Sequence, residues 1–532
     1  MESGRGRSMS DAAPSVLRSV GKVAGGTAVS RIAGLVREVL MAQFFGTSLE
    51  TSAFVVAFRI PNLFRKLFGE GALSSAFIPA YAEAVARGGR AAGERLLAKT
   101  AGFVIAVLGG VAALGVLATF PLQAWMAATP RFAAILPLLR IMLPYAPLIC
   151  VAALAMGALN VLRAFWVPAL APALLNIIWI LVLVGVCPFV ADDPGVRIRI
   201  VAWAVLAAGV AQALFQVVAL RRLGVRFIPD LLWWNDPQVR RVLQRALPLA
   251  LASGVVQVNV CIDGLLAMWA GKWAPAALEY ADRLVYLPLG LVGTAFATVL
   301  LPTFSRQAAA ADPAAIPPTL DRALRNIALL MSPAAVGLLV LALPIIQLVY
   351  QGGRFDAESA LYSSRALAFY APGLLVFCLH KAITPAFYAL GDTVTPVRVS
   401  LVAVALNVVM NVLFVVTWPA GWKHAGIALA TVISSGVSVL LLVWLLRRKG
   451  CVLQVRGMLG PAGGALAAAG VMAVAACLLH ARLATAFLEW GKSGQLVAMA
   501  VTLASSAVIY GGLVWVLCRS AVRELVHGFR KT

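Results

Sequence analysis

The sequence predicts an all-α polytopic membrane protein of about fourteen transmembrane helices. Two six-helix lobes in a parallel pseudo-repeat are followed by two extra C-terminal helices. Three observations support this fold class. The 532-residue chain is 62% hydrophobic and 12% charged, with a mean hydropathy of +0.92. Apolar runs long enough to cross a hydrocarbon core of about 30 Å recur throughout the chain. Motifs in the first half also return in the second half.

The apolar runs define the individual helices. Each is at least about 18 residues long, which is the length of a membrane-spanning helix. The connections between them are short, so they leave no room for a soluble catalytic domain. The predicted segments are 20–45, 53–81, 101–120, 132–160, 167–190, 199–220, 246–270, 281–304, 327–350, 366–389, 397–418, 425–446, 458–480 and 495–518.

The internal repeat relates the two halves of the chain. Tyr145-Ala146-Pro147 recurs as Tyr370-Ala371-Pro372, and Leu175-Asn176 is echoed by Leu406-Asn407. The two copies are six predicted helices apart, so both cross the membrane in the same direction. This pattern indicates a parallel repeat about an axis along the membrane normal, which is a known transporter architecture.

The repeat and the helix positions together predict four regions. Residues 1–18 lack the apolar core of a signal peptide, so we expect a disordered cytoplasmic tail. Residues 19–225 form the N-terminal lobe with helices 1–6, and residues 226–450 form the C-terminal lobe with helices 7–12. Residues 451–532 hold helices 13 and 14 and a cytoplasmic tail.

The formal net charge of +23 is explained by membrane topology. Lys and Arg concentrate in loops such as 87–99, 221–245 and 447–456. These loops are cytoplasmic if the N-terminus lies inside, in agreement with the positive-inside rule. An even number of helices then places both termini in the cytoplasm. The basicity therefore does not predict nucleic acid as a partner.

Charged side chains within helices 1, 2 and 8 indicate a hydrated interior. A charge that faces lipid at mid-bilayer costs about 2.5–3.5 kcal/mol. Cations outnumber anions in helices 1 and 2, and the arginine fork suits phosphate oxygens, so the predicted cargo is anionic. Internal salt bridges that lock the lobes are the alternative for some of these groups. The predicted substrate-binding residues are Arg31, Arg37, Glu38, Arg59, Asn62, Arg65, Asp282 and Arg283.

Helix 2 has an informative spacing. Arg59, Asn62, Lys66 and Glu70 stand at i, i+3, i+7 and i+11. A period of 3.6 residues places these four side chains on one helix face. Lys66 and Glu70 form an i,i+4 pair whose opposite charges can partly neutralise each other.

A second set of polar residues is compatible with a cation site. Asp263 lies alone in helix 7, Asn407 and Asn411 form an i,i+4 pair in helix 11, and Thr431 lies in helix 12. A carboxylate near amides and a hydroxyl can hold a hard monovalent cation through oxygen ligands. The alternative is a hydrogen-bonded or protonated Asp263 that closes a helix contact.

The sequence does not indicate an enzyme. The seven Cys residues contain no CxxC pair, and the four His residues are not spaced as metal ligands. No P-loop motif is present, which argues against a self-contained ATP-driven pump. We therefore predict a transporter without a catalytic site and without a cofactor, for which Na⁺ is the candidate coupling ion.

Several segments of the chain, including those that hold the charged residues of helices 1, 2 and 8, resemble the MurJ/MviN family of lipid II flippases. The resemblance covers almost the whole chain at consistent spacing. It implies the fold of the multidrug/oligosaccharidyl-lipid/polysaccharide exporter superfamily. The matching segments are Ser30–Glu38, Ala57–Phe68, Gly69–Ser74, Tyr280–Leu284, Gly391–Thr393 with Thr395-Pro396, and His424–Gly426.

The resemblance implies an activity. The family moves lipid II, an undecaprenyl-pyrophosphate-linked peptidoglycan precursor, from the inner to the outer leaflet by alternating access for cell wall synthesis. We accordingly expect a multi-pass protein of the bacterial plasma (inner) membrane, monomeric, with lipid II and membrane lipids as partners.

The family's functional residues can be carried over by position. Its cavity arginines correspond to Arg31, Arg37, Arg65 and Arg283, and its acidic neighbours to Glu38 and Asp282. Its proposed sodium site corresponds to Asp263, Asn407, Asn411 and Thr431.

Two departures from the family pattern keep alternatives open. The family usually has an acidic residue where this chain has Ser52 and Tyr286, so the predicted cavity is more positive. The alternatives are a flippase for another polyprenyl-linked oligosaccharide and an ion-coupled small-molecule exporter of the same fold. The excess of arginine argues against an exporter of cationic drugs.

Overall fold

The computed structural model describes residues 30–69, 71–190, 192–310, 315–451, 453 and 455–530. This part of the chain is built from α-helices and contains no β-strand beyond one isolated bridge between Gly352 and Phe355. The predicted tail at 1–18 and the predicted helix partner Glu70 lie outside the described residues. The chain divides into two compact units, Met1–Gly264 and Leu265–Thr532.

The first unit contains the helices of the N-terminal half. Helix α9 is common to both units, because the division between them falls at its Gly264. The helices are α1 (30–45), α2 (Leu49–Phe64), α3 (Ala72–Trp125), α4 (Pro130–Ala133), α5 (Ile135–Met142), α6 (Tyr145–Val161), α7 (Trp166–Gly185), α8 (Pro194–Arg222) and α9 (Pro237–Ala270).

The second unit continues with eleven helices in the described residues. They are α10 (Ala274–Pro288), α11 (Thr294–Ala309), α12 (Ile316–Val340), α13 (Ala342–Tyr350), α14 (Ala357–Tyr370), α15 (Gly373–Ala389), α16 (Val394–Thr417), α17 (Lys423–Arg448), α18 (Val455–Ala486), α19 (Gly491–Leu517) and α20 (Arg519–Arg530).

The helices confirm the predicted polytopic fold class. Within the described residues, ten helices are long and apolar enough to cross a membrane, or up to twelve if each of two bent pairs is one span. One continuous run, Leu49–Ala128, contains two predicted segments. The described part of α1 is 16 residues long, which is below the 18 residues required for a span. The predicted number of fourteen therefore stays a prediction.

Both units carry the features expected from the internal repeat. A π-helical turn follows α2 at Arg65–Gly69, and another follows α10 at Leu289–Gly293. Bends of 42° and 43° lie at the two Tyr-Ala-Pro motifs, between α5 and α6 and between α14 and α15. The packed pairs α3–α6, α6–α8 and α7–α8 of the first unit match the pairs α11–α15, α15–α17 and α16–α17 of the second.

Small residues allow close packing inside the first unit. Helix α6 buries a run of alanines, and Tyr145 at its start is fully buried. A Cβ atom at Gly209 of α8 would lie only 2.6 Å from the ring of Tyr145. Small side chains at such contacts are typical of helix packing in membranes, where close approach replaces the hydrophobic driving force.

The two C-terminal helices pack within the second unit. Leu329 of α12 lies in one apolar cluster with Ala465 of α18 and Val514 of α19. The Tyr510 hydroxyl donates a hydrogen bond of 2.6 Å to the Leu329 carbonyl. Leu341 joins Ala476 and Met499 in a second cluster. Helices α18 and α19 are thus attached to α12 and to the start of α13.

The start of α16 is held by Asp392. Its carboxylate accepts hydrogen bonds from the amides of Val394 and Thr395, and it lies 2.8 Å from Lys449 Nζ. Burial raises the pKa of Asp392, but the hydrogen bonds from Lys449 and Thr395 outweigh it and hold the pKa far below 3.8. The charged form therefore stabilises the protein at neutral pH, and this contribution falls only in acid below about pH 4.

We expect Asp392→Ala to lower thermal stability at neutral pH by about 1–2 kcal/mol, because the cap and the ion pair are both lost. Lys449→Gln removes only the half-exposed ion pair, so its effect is smaller, below about 1 kcal/mol. Thermal unfolding of both variants in detergent measures the difference. Equal losses in the two variants would mean that the helix cap contributes nothing.

Candidate functional site

Arg37 is buried in the first unit and held by three neighbours. Its Nη1 donates a 2.9 Å hydrogen bond to Asn176 Oδ1, and its Nη2 forms an ion pair with Glu38. Its guanidinium carbon lies 4.5 Å from the centre of the Trp179 ring. Arg37 and Glu38 are each 8% exposed. For this pair, the internal salt bridge that the sequence left open is the arrangement in the structure.

The other two arginines of helices α1 and α2 differ in exposure. Arg31 is exposed, whereas Arg59 is half-buried. Arg59 Nη1 donates a 2.9 Å hydrogen bond to the Val260 carbonyl of α9. A Cβ atom at Gly264 would lie 2.9 Å from the same nitrogen, so the glycine leaves room for the arginine. Arg59 thus joins α2 to α9.

The π-helical turn changes the geometry that regular spacing predicts. Arg65 Nε donates a 2.7 Å hydrogen bond to Asn62 Oδ1, so these two predicted site residues are in contact. A π turn advances each side chain by a smaller angle than an α turn. The predicted face through Arg59, Asn62 and Lys66 therefore does not continue at regular α-helical angles past Phe64.

Arg65 also lines a cavity inside the first unit. The cavity has a volume of about 60 Å³, and its walls come from the π turn, α6, α7 and α8. Gln212 and Gln216 of α8 line it, and both are almost fully buried. Gln212 Nε2 donates a 2.8 Å hydrogen bond to the Ala171 carbonyl. The cavity therefore combines a cation with polar amides in otherwise apolar walls.

The second unit places Arg283 on α10 with its side chain 44% exposed. Arg283 Nη2 lies 2.8 Å from Glu279 Oε1, one helical turn earlier. Asp282 is half-buried on the same helix. The guanidinium of Arg283 is exposed and carries five N–H donors, which are the groups that bind anions.

Three of the four predicted sodium ligands come together in the second unit. Asn411 Nδ2 donates a 2.9 Å hydrogen bond to Asn407 Oδ1. Asn407 Nδ2 lies 3.4 Å from Thr431 Oγ1 and 3.5 Å from Ser434 Oγ. Both asparagines are buried. Amide and hydroxyl oxygens are the ligand type that hard cations accept, so the donor set fits Na⁺.

The fourth predicted ligand, Asp263, belongs to the first unit. Asn259 Nδ2 donates a 3.2 Å hydrogen bond to Asp263 Oδ2, one turn earlier on α9. This hydrogen bond lies within α9, so it tests neither the cation site nor the alternative of a contact with another helix. The four-residue sodium site stays a prediction. Across the described residues, no cluster of three His, Cys, Asp or Glu side chains could hold a metal.

The two positions that depart from the family pattern have opposite environments. Ser52 is fully buried in α2, and Tyr286 of α10 is 55% exposed. A carboxylate at position 52 would need a buried partner, whereas one at position 286 could remain hydrated.

Sequence reasoning missed four polar partners in these sites. Asn176 was noted only as part of the repeat, yet it binds Arg37 from a position 139 residues away. The i,i+4 spacing could have identified Glu279 and Asn259. Nothing in the local sequence signals Ser434 as a neighbour of Asn407, because the contact joins two different helices.

Comparison with known proteins gives a consistent family. The family model described as "Lipid II flippase MurJ" matches residues 41–492. A lipid II flippase MurJ of Burkholderia cenocepacia is 34% identical over 521 residues, which are 94% of this chain and 97% of that protein. A probable lipid II flippase MurJ of Rhizobium meliloti is 35% identical over 438 residues, 80% of each chain.

Solved structures show the same fold. A lipid II flippase MurJ in an inward closed conformation has a TM-score of 0.74 at 24% identity, over 94% of this chain and 99% of that one. An inward-facing multidrug resistance transporter of the MATE family, in the MOP superfamily, has a TM-score of 0.65 at 13% identity, over 79% of this chain and 95% of that one. The predicted exporter fold is confirmed.

Proposed function

Because this chain belongs to the lipid II flippase MurJ family, we propose that it moves lipid II from the inner to the outer leaflet of a bacterial plasma membrane for cell wall synthesis. It is a multi-pass membrane protein built from apolar helices. The prenyl tail can stay in lipid throughout, so only the polar head has to cross. The activity is that of a transporter, and no catalytic group takes part.

The observation that carries this proposal is the set of arginines on otherwise apolar helices. Arg31 and Arg283 are exposed, and Arg59 and Arg65 are half-buried. Such groups are costly against lipid, and they are the donors that recognise a pyrophosphate. We infer that they bind the head group of lipid II.

The other functions fit less well. An exporter of small cationic drugs shares the fold, but its cargo would be repelled by this arginine set. A flippase for another polyprenyl-linked oligosaccharide would use the same pyrophosphate chemistry. The curated relatives over most of the chain carry lipid II in their names, which favours lipid II as the cargo here.

We place both termini in the cytoplasm of a monomeric protein. The basis for the placement of the termini is the concentration of Lys and Arg in alternate loops, including Arg221, Arg222, Arg447 and Arg448. On this orientation, α18 and α19 present a mostly uncharged surface to the membrane, where the prenyl tail would lie.

Sodium is the coupling ion that the donor set supports. Asn407, Asn411 and Thr431 would contribute oxygens, together with Ser434. Asp263 is the proposed carboxylate ligand. Bound Na⁺ would supply a positive charge that assists the return of the empty carrier.

The membrane potential can drive the cycle. Moving a head group with about two negative charges out of a cell held at 100 mV, inside negative, lowers its electrostatic free energy by roughly 4.6 kcal/mol. The same potential pulls the empty cationic binding site back towards the inside. Export and reset would thus both proceed downhill in the electrical field.

We expect collapse of the membrane potential to stall lipid II export in proteoliposomes. Asp263→Ala should slow multiple turnovers more than it weakens cargo binding, because its role lies in the return step. Asn259→Ala is the matched control, since it removes one hydrogen-bond partner of Asp263 and leaves the carboxylate in place. Undiminished net export without any ion or voltage gradient would contradict this mechanism.

Complementation tests the function itself. In bacteria depleted of their own flippase, this chain should restore growth and deliver lipid II to the outer leaflet. Restored growth without lipid II in the outer leaflet would point to another polyprenyl-linked cargo. Failure of a well-expressed chain to restore either would count against the proposed function.

A further inference from the structure

We propose that the loop between α8 and α9 (residues 223–236, the α8–α9 loop) is a docking site for anionic phospholipid of the membrane leaflet on its side. On the proposed orientation this is the cytoplasmic leaflet. Binding at this loop is separate from cargo transport, because none of the residues involved belongs to the proposed cargo site.

The α8–α9 loop is fixed to α3 by backbone and side-chain contacts. The Asp230 amide donates a 3.0 Å hydrogen bond to the Ala98 carbonyl. A Cβ atom at Gly102 would overlap the Asp230 carbonyl, so only glycine permits this approach. The rings of Phe103 and Trp233 meet edge to face with centres 4.9 Å apart. The loop is therefore pinned near its centre.

Both ends of the loop are fixed as well. Lys99 Nζ lies 3.1 Å from Asp236 Oδ2, and Asp236 Oδ1 accepts from the Gln238 amide at the start of α9. The Arg226 amide donates a 3.0 Å hydrogen bond to Glu94 Oε1. Burial raises the pKa of Asp236. The hydrogen bonds from Lys99 and from the amides of α9 lower this pKa by more than burial raises it, so the carboxylate stays charged.

This fixed loop turns apolar side chains outward. Val225 and Phe227 are buried, so part of the loop does pack inward. Four large side chains nevertheless remain 55–71% exposed, namely Ile228, Leu231, Leu232 and Trp234. A loop held in this way cannot turn them inward. Exposed apolar groups with a tryptophan beside the end of a membrane span are typical of a segment that inserts at the interface.

The surroundings of the loop are strongly basic. Segments 83–99 and 221–245 contain ten Lys and Arg residues against four carboxylates. Glu94, Asp230 and Asp236 already accept hydrogen bonds from backbone amides. The arginines of the flanking segments are exposed, namely Arg87, Arg90, Arg95, Arg221, Arg222, Arg226, Arg240, Arg241 and Arg245. Apolar insertion and a cationic rim together match an anionic lipid surface.

Arg240 and Arg241 offer the clearest test, because both are exposed at the start of α9. In the full-length purified protein, R240Q/R241Q should weaken phosphatidylglycerol binding about tenfold or more, as measured by native mass spectrometry. The control R131Q/R199Q removes two exposed arginines of the same unit, one from α4 and one from α8, and should change binding less than twofold. Phosphatidylcholine binding should be equal in all three proteins.

Hydrogen exchange of the loop gives a second readout. Amides of residues 226–235 should exchange more slowly in phosphatidylglycerol nanodiscs than in phosphatidylcholine nanodiscs, and R240Q/R241Q should abolish the difference. Equal exchange in the two bilayers would overturn the proposal. Equal loss of phosphatidylglycerol binding in R240Q/R241Q and in R131Q/R199Q would also overturn it. Displacement of phosphatidylglycerol by equimolar undecaprenyl pyrophosphate would also overturn it, because the loop would then bind the cargo. None of these outcomes depends on lipid II transport.

Discussion

Arg283→Ala is expected to abolish lipid II export while the protein remains folded and present in the membrane. The Arg283 side chain is 44% exposed, and its ion pair with Glu279 lies near the surface of α10. Such a pair contributes at most about 1 kcal/mol to stability. Its proposed contact with the pyrophosphate, by contrast, is made where the head group has lost its water. In Arg283→Ala, the head group is left with an unpaired charge in a medium of low dielectric constant.

The conservative variant separates charge from geometry. Arg283→Lys should restore only part of the export, because an ammonium cannot reproduce the bidentate fork. Arg325→Ala is the matched control, since Arg325 forms a similar 2.8 Å ion pair with Glu524 in the same unit. It should lose comparable stability and retain export. Full export in Arg283→Ala at normal expression would argue strongly against the proposed cargo site.

Arg37→Ala is expected to destabilise the first unit and to abolish export. Its removal leaves the Glu38 carboxylate buried without its ion-pair partner and Asn176 Oδ1 without its donor. Removing one member of a buried pair costs about 3–5 kcal/mol. Thermal unfolding in detergent should therefore show a much larger loss than Arg283→Ala does.

A double variant distinguishes structure from transport at Arg37. Arg37→Leu with Glu38→Leu removes both charges, and such replacements are often neutral for stability. We expect this protein to regain most of its thermal stability and still fail to export lipid II. Recovery of export together with stability would show that Arg37 serves only to hold the fold.

The sequence predicts the helices well because apolar length is a strong signal. The bends between α5 and α6 and between α14 and α15 were not predicted, although both lie beside the Tyr-Ala-Pro motifs that revealed the repeat. The π-helical turn at Arg65–Gly69 could not be predicted, because spacing arguments assume a constant 3.6-residue period. This turn determines where the side chains after Phe64 point.

The candidate sites were predictable in composition and less so in contacts. Charge in an apolar helix identified Arg37, but its burial depends on Asn176 and Trp179 of α7, far along the chain. The amide cluster of Asn407 and Asn411 was predicted by i,i+4 spacing, and the structure adds Ser434 from α17. Contacts between distant helices arise from packing, which residue spacing does not encode.

The leaflet distribution of lipid II tests the central claim most directly. In cells that depend on this chain for flipping, an externally added enzyme that cleaves lipid II measures the fraction in the outer leaflet. The proposed function predicts a high fraction with the native chain and almost none after its depletion or with Arg283→Ala. An outer-leaflet fraction that stays unchanged when the chain is depleted would contradict it.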